Sequence, residues 1–209
     1  MPLFYQQNIN DTTRLAIWKI EETESFFSGT VPLQREITHA HKRLQHLAGR
    51  YLLRFLFPDF PYHEIEIANT RKPFLPNEQY HFSISHCGDY AAAVVSKTHR
   101  VGVDVEIATE RVLKIAKKFL HEAEISNFKF EIANSVNAET VKHLTLLWSC
   151  KEAIFKWWGN GEVDFSEMIR IENFDFTTRG VIPASFNTTP LQLQYEVFDK
   201  LCLAWVISQ

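Results

Sequence analysis

Residues Val101-Gly102-Val103-Asp104-Val105-Glu106-Ile107, VGVDVEI, alternate without a break. Successive side chains of a strand point to opposite faces, so the branched residues at 101, 103, 105 and 107 fill one side, and Gly102, Asp104 and Glu106 share the other. Two carboxylates then stand roughly 7 Å apart along one strand face. Like charges at that spacing repel unless something positive lies between them. Two readings are open: a solvent-facing side of an antiparallel strand, or a site for a hard cation such as Mg2+, which takes few carboxylates and fills its shell with water and phosphate oxygens.

Working outward, a third carboxylate stands in Leu147-Trp148-Ser149-Cys150-Lys151-Glu152-Ala153-Ile154-Phe155-Lys156-Trp157-Trp158. The pattern predicts a helix from Val141 to Trp158, stopped by Gly159-Asn160-Gly161, with Leu147, Cys150, Ile154 and Trp158 on its buried side. Trp148, Glu152 and Lys156 stack at i, i+4 and i+8. Glu152 and Lys156 read either as an ordinary surface pair or, given the surrounding aromatic residues, as charges at the rim of a cleft. Upstream, Tyr80 to Ser85 alternates as a strand, Cys87-Gly88-Asp89 is a turn, and Tyr90 to Val95 is a strand buried on both faces. His86 ends the first of these strands beside the glycine turn, where a side chain reaches a ligand.

Still further out, Arg35, His39, His41, Lys42, Arg43, His46, Arg50 and Arg54 form a basic island opposed only by Glu36. Leu44, Leu47, Ala48, Tyr51, Leu52 and Phe55 give it the apolar stripe of a helix ended by Pro58 and Pro61. Since the whole chain carries a net charge of −3, general nucleic-acid binding is not expected, and the island points to a small anionic ligand. After it, Glu64 to Ile67 alternates as a strand, and Arg71-Lys72-Pro73-Phe74-Leu75-Pro76 reads as an extended basic loop. Residues 110–130 read as one helix with Arg111, Lys114, Lys117 and Lys118 on its polar face, and 191–208 as a hairpin turning at Asp199-Lys200.

The 209 residues, 45% hydrophobic and 13% aromatic, suit an ordered globular chain. Cys87, Cys150 and Cys202 stand singly, without the pairing of a zinc site or disulfide framework, and reduced, mostly buried thiols are expected. No apolar run approaches the ~20 residues of a membrane span, and the start, MPLFYQQNINDTTR, lacks the pattern of a signal peptide, so a cytoplasmic protein is expected. The fold class is α+β. Two halves, 1–98 and 99–209, rhyme: each holds a long helix and closes on a hairpin whose last strand ends in Ser, Ala91 to Ser96 against Leu203 to Ser208. A site between them follows if the rhyme is a duplication. Three carboxylates, two lysines, a histidine and a basic helix are together the parts for binding a polyphosphate through Mg2+.

Four ordered stretches, Arg71 to Pro76, Phe82-Ser83-Ile84-Ser85-His86, Gly102 to Glu106 and Trp148 to Lys156, resemble in order and spacing the 4'-phosphopantetheinyl transferase superfamily. The length and doubled layout resemble its pseudodimeric, surfactin-synthetase-activating branch. The resemblance covers about residues 35–160. It implies a holo-carrier-protein synthase reaction: phosphopantetheine moves from coenzyme A to a serine of an apo acyl or peptidyl carrier protein, releasing adenosine 3',5'-bisphosphate. Asp104, Glu106 and Glu152 would then be the Mg2+ ligands and Glu152, directly or through a water, the general base. Lys156 would assist the leaving group, and Ser85 and His86 would contact coenzyme A. Arg71, Lys72 and Pro73 would lie beside the adenine, and Arg35, Arg43 and Arg50 near the 3'-phosphate. A monomer whose carrier docks on the helix of Arg111, Lys114, Lys117 and Lys118 is expected, with neither nucleic acid nor membrane as partner. Two positions depart from the family pattern, Arg71 for a usual glycine and Ser83 for a usual asparagine. A non-catalytic coenzyme A or nucleotide-binding module, or a Mg2+-dependent phosphohydrolase, would use similar groups.

Overall fold

In the computed structural model, residues 2–31, 36–128 and 137–208 are described. The chain starts with an antiparallel hairpin, β1 (Leu3–Asn10) and β2 (Thr13–Lys19), followed by a short helix α1 (Glu24–Ser28) and the long helix α2 (Ala40–Leu56). Two-residue strands β3 (Glu66–Ile67) and β4 (Pro73–Phe74) pair across the basic loop and lead to β5 (His81–Cys87) and β6 (Tyr90–Ser96). These strands make an antiparallel sheet in the order β1-β2-β6-β5. One face, with Ala16, Trp18, Phe82, Ala91, Ala93 and Val95, packs on Leu47, Ala48, Leu52 and Leu53 of α2. The stripe that makes α2 a helix is thus the stripe that the sheet covers.

The second half begins with β7 (Val101–Ile107), followed by α3 (Arg111–Phe119), α4 (Glu122–Asn127) and α5 (Ala138–Trp158), and ends in β8 (Ile169–Ile171), β9 (Arg179–Phe186), β10 (Thr189–Phe198) and β11 (Leu201–Ile207). The second sheet runs β7-β11-β10-β9-β8, also antiparallel. Helix α5 covers one face through Leu144, Leu147, Cys150 and Ile154 against Leu193, Cys202, Ala204 and Val206. Its N-cap is Asn137, whose side chain accepts from Thr140 N, and it stops at Gly159, whose φ of 75° suits a residue without Cβ.

The outer faces of the two sheets meet each other. Leu15 and Ile17 of β2, Ala92 and Val94 of β6, Val101, Val103 and Val105 of β7, and Leu201, Leu203 and Trp205 of β11 form one buried cluster. Each fully buried branched side chain contributes roughly 1.5–3 kcal/mol, so a seam this deep holds the two sheets as one body rather than as hinged domains. The stack is helix, sheet, sheet, helix. One connectivity occurs in both sheets: a strand, a long helix, then an antiparallel hairpin whose second strand pairs with the first, as β2-α2-β5-β6 and again as β7-α5-β10-β11.

Several expectations need correcting. The 110–130 region is two helices, broken at Leu120, because His121 begins α4 with a capping box: Glu124 Oε2 accepts from His121 N at 2.8 Å, and His121 Nδ1 accepts from Ala123 N at 3.2 Å. Phe130 lies outside the described residues. Tyr62–Glu64 forms a turn of 3-10 helix, which leaves only Glu66–Ile67 of the expected strand. Trp158 is only partly buried, and Trp157 takes the inner position. Free thiols are borne out, with Cys150 and Cys202 buried and Cys87 half-buried.

Candidate active site

Gly102, Asp104 and Glu106 do not face solvent: helix α5 lies across them. A Cβ on Gly102 would stand 2.0 Å from Ala153 O and 2.7 Å from Trp157 N, so only glycine lets the helix backbone come this close to β7. That approach sets Glu152 and Lys156 over the same strand face as Asp104 and Glu106. Asp104 is 2% exposed. Its Oδ1 accepts from Lys156 Nζ at 2.5 Å and from the Ser85 hydroxyl at 2.7 Å, while Ser85 Oγ also accepts from Lys156 Nζ at 2.8 Å. Lys156 therefore reaches across to the strand instead of forming the helix-surface pair with Glu152.

The remaining carboxyls are held at high energy as anions. Burial raises Glu152 to about 7, with Asp104 and then Glu106 adding repulsion against the opposing pull of Lys156. Burial also raises Glu106, again with repulsion from Asp104, while the Cys87 thiol, the Trp148 indole and Lys156 partly offset it. The Cys87 thiol itself is pushed to about 12 by burial and by Glu106, so it stays protonated. Desolvation, reinforced by Lys156, keeps the His86 imidazole below its ordinary value; Asp104 opposes this shift, and His41 adds to it. Three carboxylates thus meet one ammonium, and Asp104 Oδ2 is buried with no hydrogen-bond partner among the described residues. An orphaned carboxylate oxygen among repelling carboxylates fits the oxygen donors that a hard cation takes. No three histidine, cysteine or carboxylate side chains among the described residues are already gathered as a metal cage. Mg2+ needs no preassembled cage, since it takes few protein carboxylates and completes its shell with water and substrate oxygens.

Strand β5 supplies the other wall. β5 and β7 belong to different sheets, and side chains take the place of a backbone ladder between them. Ser83 Oγ accepts from Val103 N at 3.1 Å, Ser85 bonds Asp104, and Cys87 Sγ accepts from Ile107 N at 3.4 Å. Ser83, the departure from the family pattern, therefore ties β7 into register beside Asp104. A pocket of about 220 Å3 opens next to Lys156, lined by Thr70, Arg71, Lys72, Pro73, Ser83 and Phe155 among others. Arg71 has φ 66°, the left-handed region, which is why a glycine suits this position and why arginine holds it at a cost of roughly 1–2 kcal/mol. Thr70 Oγ1 donates to Gly159 O at 2.9 Å and Lys72 Nζ to Trp157 O at 3.4 Å, so this loop also caps the C-terminus of α5. Burial, helped by Arg100, lowers Lys72 to about 8.

The basic island is only partly in reach. Arg43 is held by Glu24 at 2.8 Å and by Ile37 O at 2.7 Å. Arg50 is 6% exposed and donates to His46 Nε2 at 2.8 Å. Neither arginine joins the carboxylate group through these bonds, and Arg35 lies outside the described residues. His41, by contrast, pairs with Asp89 at 3.0 Å and sits close enough to shift His86. Sequence reasoning passed over Lys151, which is fully buried. It donates to Glu124 at 2.7 Å, Phe119 O at 2.8 Å, and Phe165 O and Ile169 O at 2.9 Å, pinning α5 one residue before Glu152. Periodicity reads a lysine as solvent-facing, so only the tertiary fold shows it.

Asp104, Glu106, Glu152 and Lys156 thus lie together where β7 passes under α5, in an α+β fold of two packed sheets. The family model of the 4'-phosphopantetheinyl transferase superfamily matches residues 100–207, and the chain belongs to that superfamily. It is 36% identical over 117 residues to the 4'-phosphopantetheinyl transferase gsp of Aneurinibacillus migulanus, covering 55% of this chain and 46% of that one. To the enterobactin synthase component D of Escherichia coli O157:H7 it is 34% identical over 136 residues, 60% of each chain. To the 4'-phosphopantetheinyl transferase Sfp of Bacillus subtilis (strain 168) it is 30% identical over 153 residues, 68% of this chain and 65% of the relative. The matches thus span about half to two thirds of these relatives.

Proposed function

We propose that the protein transfers 4'-phosphopantetheine from coenzyme A to a serine hydroxyl of an apo acyl or peptidyl carrier protein. The observation that carries this reading is that Asp104 and Glu106 on β7 face Glu152 of α5 closely enough to perturb it, with Lys156 drawn to Asp104 at 2.5 Å. Asp104, Glu106 and Glu152 would hold Mg2+, whose charge, when bound, lets a pyrophosphate approach an acidic site. Glu152, raised to about 7, is matched near neutrality to accept the serine proton, directly or through a water. The serine oxygen forms a bond to the pantetheine-side phosphorus as the pyrophosphate P–O bond breaks. Lys156 holds positive charge where the departing adenosine 3',5'-bisphosphate gains negative charge.

Ser85 and His86 line the approach to that point from β5, and Arg71, Lys72 and Pro73 wall the pocket where the adenine would sit. The field of the α2 basic stripe, including Arg43 and Arg50, with Arg35 before it, draws the 3'-phosphate end. The repeated connectivity supports an internal pseudodimer of halves 1–98 and 99–209 in a monomeric, Sfp-like chain. Carrier docking falls to α3, where Arg111, Lys114, Lys117 and Lys118 are all exposed and no ion pair among the described residues engages them. No helix among the described residues is long and apolar enough to cross a membrane.

Incubation with coenzyme A, Mg2+ and a panel of apo carriers, followed by intact mass measurement, tests the reading. The expected result is a gain of one phosphopantetheine on a carrier serine. Release of adenosine 3',5'-bisphosphate with no carrier modified would replace it with a phosphohydrolase, and coenzyme A binding with neither product would replace it with a binding module.

A further inference from the structure

A second cleft of about 330 Å3, which shares Lys72, Pro73, Phe82 and Gly159 with the pocket beside Lys156, opens between the β4–β5 segment, the start of β7 and the end of α5. Its lining includes Phe74, which is exposed, and Trp158, which is half-buried, aromatic residues from different parts of the chain. Three basic side chains converge on the same space: Lys72 from the loop, His81 from the start of β5 and Arg100 just before β7. No hydrogen bond or ion pair among the described residues engages the Arg100 guanidinium or the His81 ring; Arg100 only lies over the Trp157 ring, 5.9 Å from its centroid. Burial and then Arg100 push Lys72 down. Burial also pushes His81 down, against the pull of Glu78 and with Arg100, Lys72 and His99 adding to the shift. The basic groups repel one another across a hydrophobic trough, with Glu78 the acid that opposes them among these neighbours.

We propose that this cleft is a second small-molecule site, built for a planar aromatic body bearing one carboxylate or phosphate. The rings supply stacking faces, and the guanidinium and imidazole supply donors left unused by the fold. An anion placed between them relieves the mutual repulsion. The volume falls at the low end of small-ligand pockets, which suits a ligand of one or two rings. This proposal does not rest on the transferase reading, and His81, Arg100 and Trp158 line this cleft without lining the pocket beside Lys156.

Calorimetric titration with benzoate, phenyl phosphate and the neutral benzyl alcohol, each with and without saturating coenzyme A, tests it. Saturable binding of at least one anion is expected, unchanged by coenzyme A and weakened at least roughly tenfold in Arg100→Ala and in His81→Ala, in line with loss of one charge-assisted hydrogen bond. Benzoate and phenyl phosphate distinguish the two anion types. Melting of both variants should match the unaltered protein, since neither side chain holds a bond in the fold. Saturable binding of neither anion, equal binding by both variants, or benzyl alcohol binding as tightly as the anions would overturn the proposal. Complete displacement by coenzyme A would overturn it too, by making the cleft part of the coenzyme A site.

Discussion

Replacing Glu152 with glutamine should test the two roles proposed for this carboxyl. Its raised value, about 7 against an ordinary 4.5, means that the folded chain holds a proton that the unfolded chain releases more readily. Stability contributed by this group is therefore full at low pH and declines as pH rises from about 4.5 to 7, because the unfolded state then binds fewer protons. A displacement of this size corresponds to an upper limit of about 3 kcal/mol of strain above pH 7, and partial solvation leaves about 2 kcal/mol. Glu152→Gln removes the charge at nearly constant volume, so in chelator at pH 8 the variant should melt roughly 4–8 °C above the unaltered protein, by the scaling for chains of this size. At pH 5 the advantage should shrink to about a quarter of that, because the folded carboxyl is then almost wholly protonated. Adding Mg2+ at pH 8 should raise the melting temperature of the unaltered protein and move the variant much less. Differential scanning calorimetry at the two pH values measures all three effects. A melting difference that is the same at pH 5 and pH 8, or a variant less stable than its parent at pH 8 in chelator, would refute the claim that burial and neighbouring acids raise Glu152.

Gly102→Ala forces a methyl group against Ala153 O and Trp157 N, and should cost about 3 kcal/mol in denaturant unfolding and depress activity through displacement of α5; a fully active variant would show that the close approach does not set the site. Ser83→Ala removes the acceptor for Val103 N and should cost about 1–2 kcal/mol and raise the Mg2+ concentration needed for half-maximal rate, with Ser83→Thr restoring both. An unchanged Mg2+ requirement would confine Ser83 to stability. Lys114→Glu with Lys117→Glu should raise the Michaelis constant for an acidic carrier at low salt while leaving coenzyme A binding unchanged; an unchanged constant would move docking away from α3.

How far the sequence could be read depended on whether a contact was local. The alternation of 101–107 and the periodicity and glycine stop of α5 were legible because strand and helix periods are written into neighbouring residues. Asp104, Glu106 and Glu152 stood out because unpaired acids beside apolar stripes are conspicuous. The partner of Lys156 was not legible: Asp104 and Ser85 lie 52 and 71 positions away, and the helix-local choice, Glu152, was the wrong one. The break at His121 did carry a local signal in Glu124, three residues on, but histidine is an uncommon cap. The hairpin of β1 and β2 escaped notice because Leu3 to Asn10 alternates around polar residues such as Gln6, Gln7 and Asn8, and β9 did so because Gly180 and Pro183 argue against a strand. The basic island was legible as a charged helix face, but not the bonds that hold it: Arg43 bonds Glu24 and Arg50 bonds His46.

The central claim, that the carboxylates under α5 transfer phosphopantetheine with a divalent cation, is tested most directly by single-turnover conversion of an apo carrier by the unaltered protein and by Asp104→Ala. Mg2+ is titrated against chelator in both. The account predicts conversion that rises with Mg2+ and vanishes in chelator, and a rate at least roughly a hundredfold lower in Asp104→Ala at saturating Mg2+, with the variant still folded. Conversion by the unaltered protein in excess chelator, or by Asp104→Ala at the unaltered rate, would contradict it.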